Sequence, residues 1–163
     1  MSDITTVILA AGNSTRFKAS KSKLVYPLCG LPIVSHIFNI AKKISGKNIL
    51  VVSNEKNKEE LKLILNTSKL VVQKKQKGTA DAIEQVKKYV KSKNILILFG
   101  DTPLVEVKDI RKLVSKFKKS KAKASLIAFN TSEPHGYGRL LLNNNYVEAV
   151  SYTHLTLPTN REV

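Results

Sequence analysis

The stretch TTVILAAGNSTRF, residues 5–17, decides the fold, because an apolar run gives way there to small residues and then to an arginine. The continuous apolar run from Thr5 to Ala10 predicts a buried strand of a parallel sheet. The small residues that follow can turn their backbone N–H groups inward around an anion. Arg16 would add a planar, permanently charged guanidinium, which complements phosphate groups. The stretch therefore predicts a strand that ends in an anion-binding loop, although it has neither the Gly-Lys-Ser/Thr of a P-loop nor a GxGxxG motif.

Beyond this stretch, β-branched runs alternate with segments of helical periodicity, which is typical of a parallel sheet with crossover helices. The expected further strands are NILVVS ending at Ser53, KLVVQ ending at Gln73, NILILFG ending at Gly100, and KASLIAFN; the expected helices cover 33–44, a segment through Leu65, a segment from about Thr79, and 107–119. The strand NILILFG is the most apolar, so we expect it to be central in the sheet. Thr79 could cap its helix, and GRLLLNNNYVEAV predicts a hairpin.

The composition excludes several classes of function. No apolar run approaches the roughly 18 to 20 residues of a membrane span, so we expect a cytoplasmic protein with no membrane partner. The formal charge of +16 comes mostly from lysines scattered over predicted helix exteriors. Because no zinc-finger spacing or RNP-like motif accompanies that charge, we expect no nucleic-acid partner. The single cysteine, Cys29, is expected to be a small buried side chain.

Ligands of such sheets bind beyond the carboxyl ends of the strands, and two more loops there carry informative residues. In GDTPL, residues 100–104, Asp101 has two interpretations: it caps the following helix, or it holds a divalent metal ion. Its occurrence together with an anion-binding loop favours the metal. In GYGR, residues 136–139, two glycines allow close backbone approach to a ligand, but the motif could also be a turn into the hairpin.

Five motifs together resemble a known family: ILAAGNSTRF, KLVYPLCGLPI, VVQKKQKGTADAI, LFGDTPL and GYGR. Their order and approximate spacing are those of the nucleotidyltransferase domain of bacterial N-acetylglucosamine-1-phosphate uridyltransferases, bifunctional enzymes that also acetylate glucosamine-1-phosphate. The resemblance covers residues 4–150, so we expect residues 1–150 to be the N-terminal part of such a domain. It implies a Rossmann-like α/β fold, the nucleotide-diphospho-sugar transferase fold, with helices on both faces of a mostly parallel sheet.

The resemblance also implies an activity and its site residues. The reaction would join UTP and N-acetylglucosamine-1-phosphate into UDP-N-acetylglucosamine and pyrophosphate, for cell-wall precursor synthesis, with Mg²⁺ as the cofactor. Arg16 and Lys23 would bind phosphates and Asp101 would bind the metal, and these three would carry catalysis. Lys23 matches the family's lysine, rather than Lys18 or Lys21, because it stands directly before LVYPLCGLP. The remaining implied contacts are Leu9, Ala10, Ala11 and Gly12 with the nucleotide, Gln73, Gly78 and Thr79 with uracil, Phe99 and Gly100 along the same site, and Gly138 with the sugar.

The sequence also departs from the family. Ser14 stands where a second glycine is usual, and Ser22 stands where proline is usual. We also expect the domain to be incomplete at its C-terminal end. The second metal ligand, further sugar contacts and the acyltransferase domain, through which full-length members would form homo-oligomers, are not in this sequence. The segment SYTHLTLPTNREV, residues 151–163, places Tyr152 where the family has a glutamate and resembles a translated sequencing-adapter read-through. We expect a non-native tail and a polypeptide without robust uridyltransferase activity.

Two alternatives remain open. A cytidylyl- or molybdenum-cofactor nucleotidyltransferase would use the same first loop and the same Asp101, but it would differ in its base pocket and its acceptor. A non-catalytic basic module that binds nucleotides or nucleic acid would instead show weak, strongly salt-dependent binding to nucleic acid and no magnesium-dependent binding of UTP.

Overall fold

A parallel sheet forms the centre of the first of two units in the computed structural model of the chain. The structure describes residues 3–13, 17, 21–66, 69–133, 137–143 and 146–151. The two units are Met1–Ser125 and Leu126–Val163. Ser14, Arg16 and residues 152–163, which make up nearly all of the expected tail, lie outside the described residues.

The first unit alternates strands and helices in chain order. Its elements are β1 (Ile4–Leu9), a 3₁₀ turn (Lys23–Val25), β2 (Pro27–Leu28), β3 (Leu31–Pro32), α1 (Ile33–Ser45), β4 (Ile49–Ser53), α2 (Lys58–Leu65), β5 (Lys69–Val72), α3 (Thr79–Val86), a second 3₁₀ turn (Lys87–Tyr89), β6 (Asn94–Phe99) and α4 (Val107–Lys119). Four strands form one sheet in the order β5-β4-β1-β6, and every neighbouring pair in it is parallel. The predicted parallel sheet with crossover helices is confirmed.

The side chains of the strands alternate between two apolar cores, one on each face of the sheet. The core against α1, α2 and α4 contains Ile8, Ile37 and Leu61, all three fully buried. The core against α3 contains Val7 and Val52, which are also fully buried. Helices on both faces explain why β1 and β4 are mostly apolar and buried along their length, since neither of their faces meets water.

The predicted helices and strands of this unit lie within a few residues of the observed ones. The helix predicted over 33–44 is α1, whose apolar stripe buries Val34, Ile37 and Ala41. It ends at Ser45, and its C-cap residue is Gly46, with φ of +61°. The helix predicted over 107–119 is α4. These segments were predictable because their periodicity and their burial agree.

Two strand predictions were wrong. Within the described sheet, β6 is the last strand in the order rather than a central one, so only Leu96 and Leu98 are buried. Ile95, Ile97 and Phe99, on the other face, are between 36% and 43% exposed. The segment KASLIAFN, residues 123–130, is described without any strand and is exposed throughout. An apolar run becomes a strand only where a neighbouring strand accepts and donates its backbone hydrogen bonds.

The expectation that Cys29 is buried was also wrong, because Cys29 is exposed. The short strands β2 and β3 pair antiparallel, and Cys29 and Gly30 form the turn between them. Their φ angles are +48° and +81°. Positive φ at both central residues is what a two-residue turn of type I′ requires, and such a turn lies at the tip of its hairpin, away from the core.

The second unit contains the predicted hairpin. Its strands β7 (Arg139–Asn143) and β8 (Tyr146–Ser151) pair antiparallel, with an irregularity between Leu141 and Leu142. Phe129 and Tyr137 of the same unit stack edge to face, with ring centroids 5.2 Å apart. Among the described residues of both units, no helix is long and apolar enough to cross a membrane.

The exposed turn predicts a reactive thiol. Cys29 of the native chain should react with Ellman's reagent within about tenfold of the rate measured in denaturant, because a thiol at a turn tip is accessible to the reagent. The measurement is the absorbance of the released thiolate, with and without urea. A thiol that reacts only after unfolding would contradict the placement of Cys29.

Candidate functional site

The carboxyl edge of the sheet is where the loops of the first unit converge. Three of these loops begin with a residue whose backbone N–H is hydrogen-bonded to the neighbouring strand. The Ala10 N–H donates to the Val52 carbonyl at 2.8 Å, and the Gln73 N–H donates to the Ser53 carbonyl at 2.8 Å. The Gly100 N–H donates to the Leu9 carbonyl at 2.9 Å. The loops after β1, β5 and β6 therefore start from fixed positions on one edge.

The loop after β1 is held by two asparagines that sequence reasoning missed. The Asn57 Nδ2 donates to the Ala10 carbonyl at 2.7 Å, and the Asn54 Nδ2 donates to the Ala11 carbonyl at 3.0 Å and to the Gly12 carbonyl at 3.5 Å. Both asparagines are almost fully buried, at 4% and 2% exposure for Asn54 and Asn57. Their signal in the sequence is a polar pair three residues apart directly after a buried strand, where a turn alone would also be expected.

Lys23 and Asp101 form an ion pair at the same edge. The Lys23 Nζ lies 2.6 Å from the Asp101 Oδ2, and the two side chains are 36% and 40% exposed. Lys23 opens the 3₁₀ turn, which Leu24 anchors in the core and the Ser22 hydroxyl caps by accepting the Leu24 N–H at 3.4 Å. An ion pair this exposed contributes at most about 1 kcal/mol to folding. Each side chain can therefore leave the pair and bind a charged ligand at little cost to stability.

The interpretation of Asp101 as a helix cap is wrong. The next helix, α4, begins at Val107, and its N-cap residue is Glu106. Asp101 lies directly after β6, and among the described residues its only side-chain partner is Lys23. No group of three or more His, Cys, Asp or Glu side chains that could hold a metal ion occurs in the described part of the chain. Any divalent ion at Asp101 would thus take most of its ligands from a bound molecule or from water.

Gln73 is held in one orientation by Asp81. The Gln73 side chain is 3% exposed, and its Nε2 donates to the Asp81 Oδ2 at 2.6 Å and to the Gly78 carbonyl at 3.2 Å. A carboxylate only accepts hydrogen bonds, so the amide nitrogen of Gln73 must face Asp81 and its Oε1 must face the other way. Asn13 reaches the same loop, because its Nδ2 donates to the Gln76 Oε1 at 3.4 Å.

Gly78 and Gly100 shape the site through their backbones. Gly78 is the N-cap residue of α3, with φ of +110° and ψ of −178°, a region open essentially to glycine alone. The expected cap, Thr79, is instead the first residue of the helix, and no side chain caps α3. At Gly100, an added Cβ would lie 3.2 Å from the Leu9 carbonyl oxygen, so a larger residue would push the two loops apart.

The structure thus brings most of the expected site residues to one edge of one sheet. Hydrogen bonds and strand pairing connect the loop after β1, Lys23, the segment Gln73–Thr79 and the segment Phe99–Asp101. Arg16 lies outside the described residues. Gly138 belongs to the second unit, where it directly precedes β7.

Solved structures show the same fold. A Bacillus anthracis structure assigned as a glucose-1-phosphate thymidylyltransferase matches with a TM-score of 0.82 at 19% identity, over 91% of this chain and 64% of that one. The CMP:2-keto-3-deoxy-manno-octonic acid synthetase in complex with CTP matches with a TM-score of 0.72 at 19% identity, over 98% of this chain and 68% of that one. The fold is the Rossmann-like α/β fold of the nucleotidyltransferases.

Sequence comparison gives the family. The model of the MobA-like NTP transferase domain matches residues 6–152, and the chain belongs to this family. The bifunctional protein GlmU of Buchnera aphidicola subsp. Schizaphis graminum is 41% identical over 147 residues, which are 89% of this chain and 32% of that protein. GlmU of Campylobacter fetus is 39% identical over 152 residues, covering 90% of this chain and 34% of that protein. The chain therefore spans about a third of the length of these relatives.

The backbone of Gly78 predicts a stability effect. Gly78→Ala should lower the free energy of unfolding by about 1–3 kcal/mol, because a Cβ is strained in this region of φ and ψ. Urea denaturation followed by circular dichroism measures the difference. The matched control is Gly12→Ala, since Gly12 has no positive φ and an added Cβ there meets no atom within 4 Å. Equal losses in the two variants would contradict the assignment of strain to Gly78.

Proposed function

We propose that this chain carries the nucleotide-binding part of a sugar-phosphate nucleotidyltransferase that forms UDP-N-acetylglucosamine and pyrophosphate from UTP and N-acetylglucosamine-1-phosphate. The observation that carries the proposal is the Lys23–Asp101 pair, 2.6 Å apart, beside the loop after β1. A cation for phosphates and a carboxylate for a metal occur together there with backbone N–H groups. Similarity to the GlmU proteins supports the sugar phosphate as the acceptor class.

The reaction needs no covalent nucleophile from the protein. An oxygen of the sugar phosphate attacks the α-phosphorus of UTP in line, a new P–O bond forms, and the bond from the α-phosphorus to the bridging oxygen breaks to release pyrophosphate. The protein then has two tasks, which are to position two anions and to stabilise the charge that develops between them. Lys23 is the described cation suited to the second task, and Arg16 is expected to share it.

Asp101 fits a magnesium ion held jointly with the substrate. Its carboxylate is 40% exposed and bonded to a lysine rather than to a backbone group, so one oxygen is open to a ligand. Mg²⁺ in nucleotide sites keeps octahedral oxygen ligands and is bound by one or two carboxylates together with phosphate oxygens and water. Bound in this way, the ion would neutralise negative charge on the phosphates. Asp101 is the described residue that would hold it.

The orientation of Gln73 suits a base that offers an N–H group. With its amide nitrogen committed to Asp81 and Gly78, Gln73 retains the Oε1 as an acceptor. Uracil presents N3–H between two carbonyl oxygens, and the N–H of a residue near Gly78 or Thr79 could serve one of those oxygens. Phe99, the last residue of β6, and Gly100, which follows it, lie at the same edge and are proposed to line this pocket. Gly138 is proposed to hold the sugar, and the cytoplasm is the proposed location.

The proposal predicts a preference among nucleotides. Titration calorimetry with the four ribonucleoside triphosphates and Mg²⁺ should show UTP binding at least about tenfold more tightly than CTP, GTP or ATP, equivalent to roughly 1.4 kcal/mol. A preference for CTP or GTP would instead support a cytidylyl- or molybdenum-cofactor nucleotidyltransferase. Salt-dependent binding of nucleic acid without magnesium-dependent binding of UTP would support a non-catalytic basic module.

The role proposed for Asp101 predicts a separation between stability and activity. Asp101→Asn should leave the melting temperature within about 2 °C of the original, because an exposed ion pair contributes little to folding. The magnesium-dependent part of UTP affinity should fall. In a full-length relative, the same change at the aligned aspartate should lower the rate of pyrophosphate release by at least about tenfold.

Asp109→Asn is the matched control for this prediction. Asp109 is an exposed aspartate in the first turn of α4, so its replacement removes the same charge without touching Lys23. If Asp101→Asn and Asp109→Asn change UTP affinity equally, the effect is one of net charge and Asp101 holds no metal.

A further inference from the structure

Asn57 occupies a helix-capping position without capping the helix. It is the N-cap residue of α2, yet its side chain makes no hydrogen bond to the first turn. An asparagine at this position ordinarily accepts an N–H from the second or third residue of the helix. Here the Asn57 Oδ1 accepts the Asn54 N–H at 3.0 Å, and its Nδ2 donates to the Ala10 carbonyl. The side chain serves the neighbouring loop instead of its own helix.

Asn54 makes the reciprocal hydrogen bonds. Its Oδ1 accepts the Asn57 N–H at 2.9 Å, while its Nδ2 donates to the Ala11 carbonyl and, at the longer distance of 3.5 Å, to the Gly12 carbonyl. Each amide therefore holds the other in place through its oxygen and holds the loop through its nitrogen. Because the two side chains are buried, any rotation would leave polar groups without partners, which fixes both side chains in one rotamer.

The pair determines which way the loop's N–H groups point. In a trans peptide, the N–H of one residue lies opposite the carbonyl of the residue before it. With the carbonyls of residues 10, 11 and 12 turned toward the asparagine pair, the N–H groups of Ala11, Gly12 and Asn13 face away from it. In an extended chain, successive carbonyls point to opposite sides, so the backbone of this loop must curl. None of these three N–H groups has a hydrogen-bond acceptor among the described residues.

We infer that Asn54 and Asn57 are positioning residues that preset the N–H groups of Ala11, Gly12 and Asn13 as a binding site for the phosphates of the nucleotide. Consecutive N–H groups turned to one side of a curled loop form a concavity that attracts anions. The inference rests on the proposed function, since it takes the nucleotide as the source of the phosphates. It goes further by assigning the recognition of the phosphates to two side chains that never touch them.

The test removes the donor while restoring the helix cap. Asn57→Ser replaces the amide with a hydroxyl too short to reach the Ala10 carbonyl, and serine is itself a good N-cap residue for α2. Calorimetry with magnesium UTP should show at least about tenfold weaker binding, whereas NMR titration with uridine, which has no phosphate, should change less than about twofold. A second variant, Asn54→Asp, keeps the acceptor for the Asn57 N–H but cannot donate to Ala11, and should show the same selective loss.

Asn48→Ser is the matched control. The Asn48 Nδ2 also donates to a backbone carbonyl, that of Ile4 at 3.0 Å, but Ile4 lies at the amino end of β1. Asn48→Ser should leave the ratio of UTP affinity to uridine affinity unchanged. If Asn57→Ser and Asn54→Asp lower the melting temperature but leave this ratio unchanged, the pair is only structural and the inference is overturned.

A measurement on the unmodified chain covers the case in which the variants do not fold. Addition of inorganic pyrophosphate should shift the amide ¹⁵N–¹H resonances of Ala11, Gly12 and Asn13 more than those of other loops. If the chain binds UTP without these shifts, the inference fails while the proposed function stands. If pyrophosphate shifts these resonances but UTP is not preferred over the other triphosphates, the proposed function fails and the anion site stands. If neither ligand binds, both are wrong.

Discussion

The parallel pairing of β1 with a strand on each side is the constraint on which the site depends. β4 bonds to β1 from Thr6 onward and β6 bonds along its whole length. With a strand at each edge and a core on each face, β1 cannot shift by one residue without moving its apolar side chains to the wrong core. Its last residue, Leu9, is therefore at a fixed place, and so are the loops that bond to it.

The backbone carbonyls directly after β1 need hydrogen-bond donors, and residues at the candidate site provide them. Beyond Leu9, the backbone enters a crowded edge where Ala10 and Ala11 are still at most 5% exposed. Buried carbonyls need donors there, and no strand of the described residues supplies them. Asn54 and Asn57 provide these donors from the β4–α2 connection. The same bonds that satisfy the carbonyls orient the N–H groups, so a folding requirement also shapes the loop that we propose as the anion-binding site.

The sequence predicted those features in which local pattern and tertiary burial coincide. α1 and α4 have apolar stripes at helical spacing, and β1 and β4 are continuous apolar runs. Where burial depends on a distant part of the chain, the local sequence pattern did not predict it. Residues 123–130 are apolar enough for a strand but pair with no described strand, and Cys29 is in an apolar context yet lies at a turn tip. Neither the pairing partner nor the sign of φ can be inferred from composition.

The residues of the candidate site also fall into those that the sequence could predict and those that it could not. Asp101 could be proposed because it follows an apolar strand, and Lys23 because the family resemblance selects the lysine directly before LVYPLCGLP. The structure places the two in contact across 78 positions of sequence. Asn54, Asn57 and Asp81 were missed because polar residues after a strand or within a helix's first turn have ordinary explanations. Their contribution lies in the orientation of other groups, namely the loop carbonyls and the Gln73 amide. Where backbone atoms bind the ligand, the informative side chains are those that orient the backbone, and these become visible only when the contacts are known.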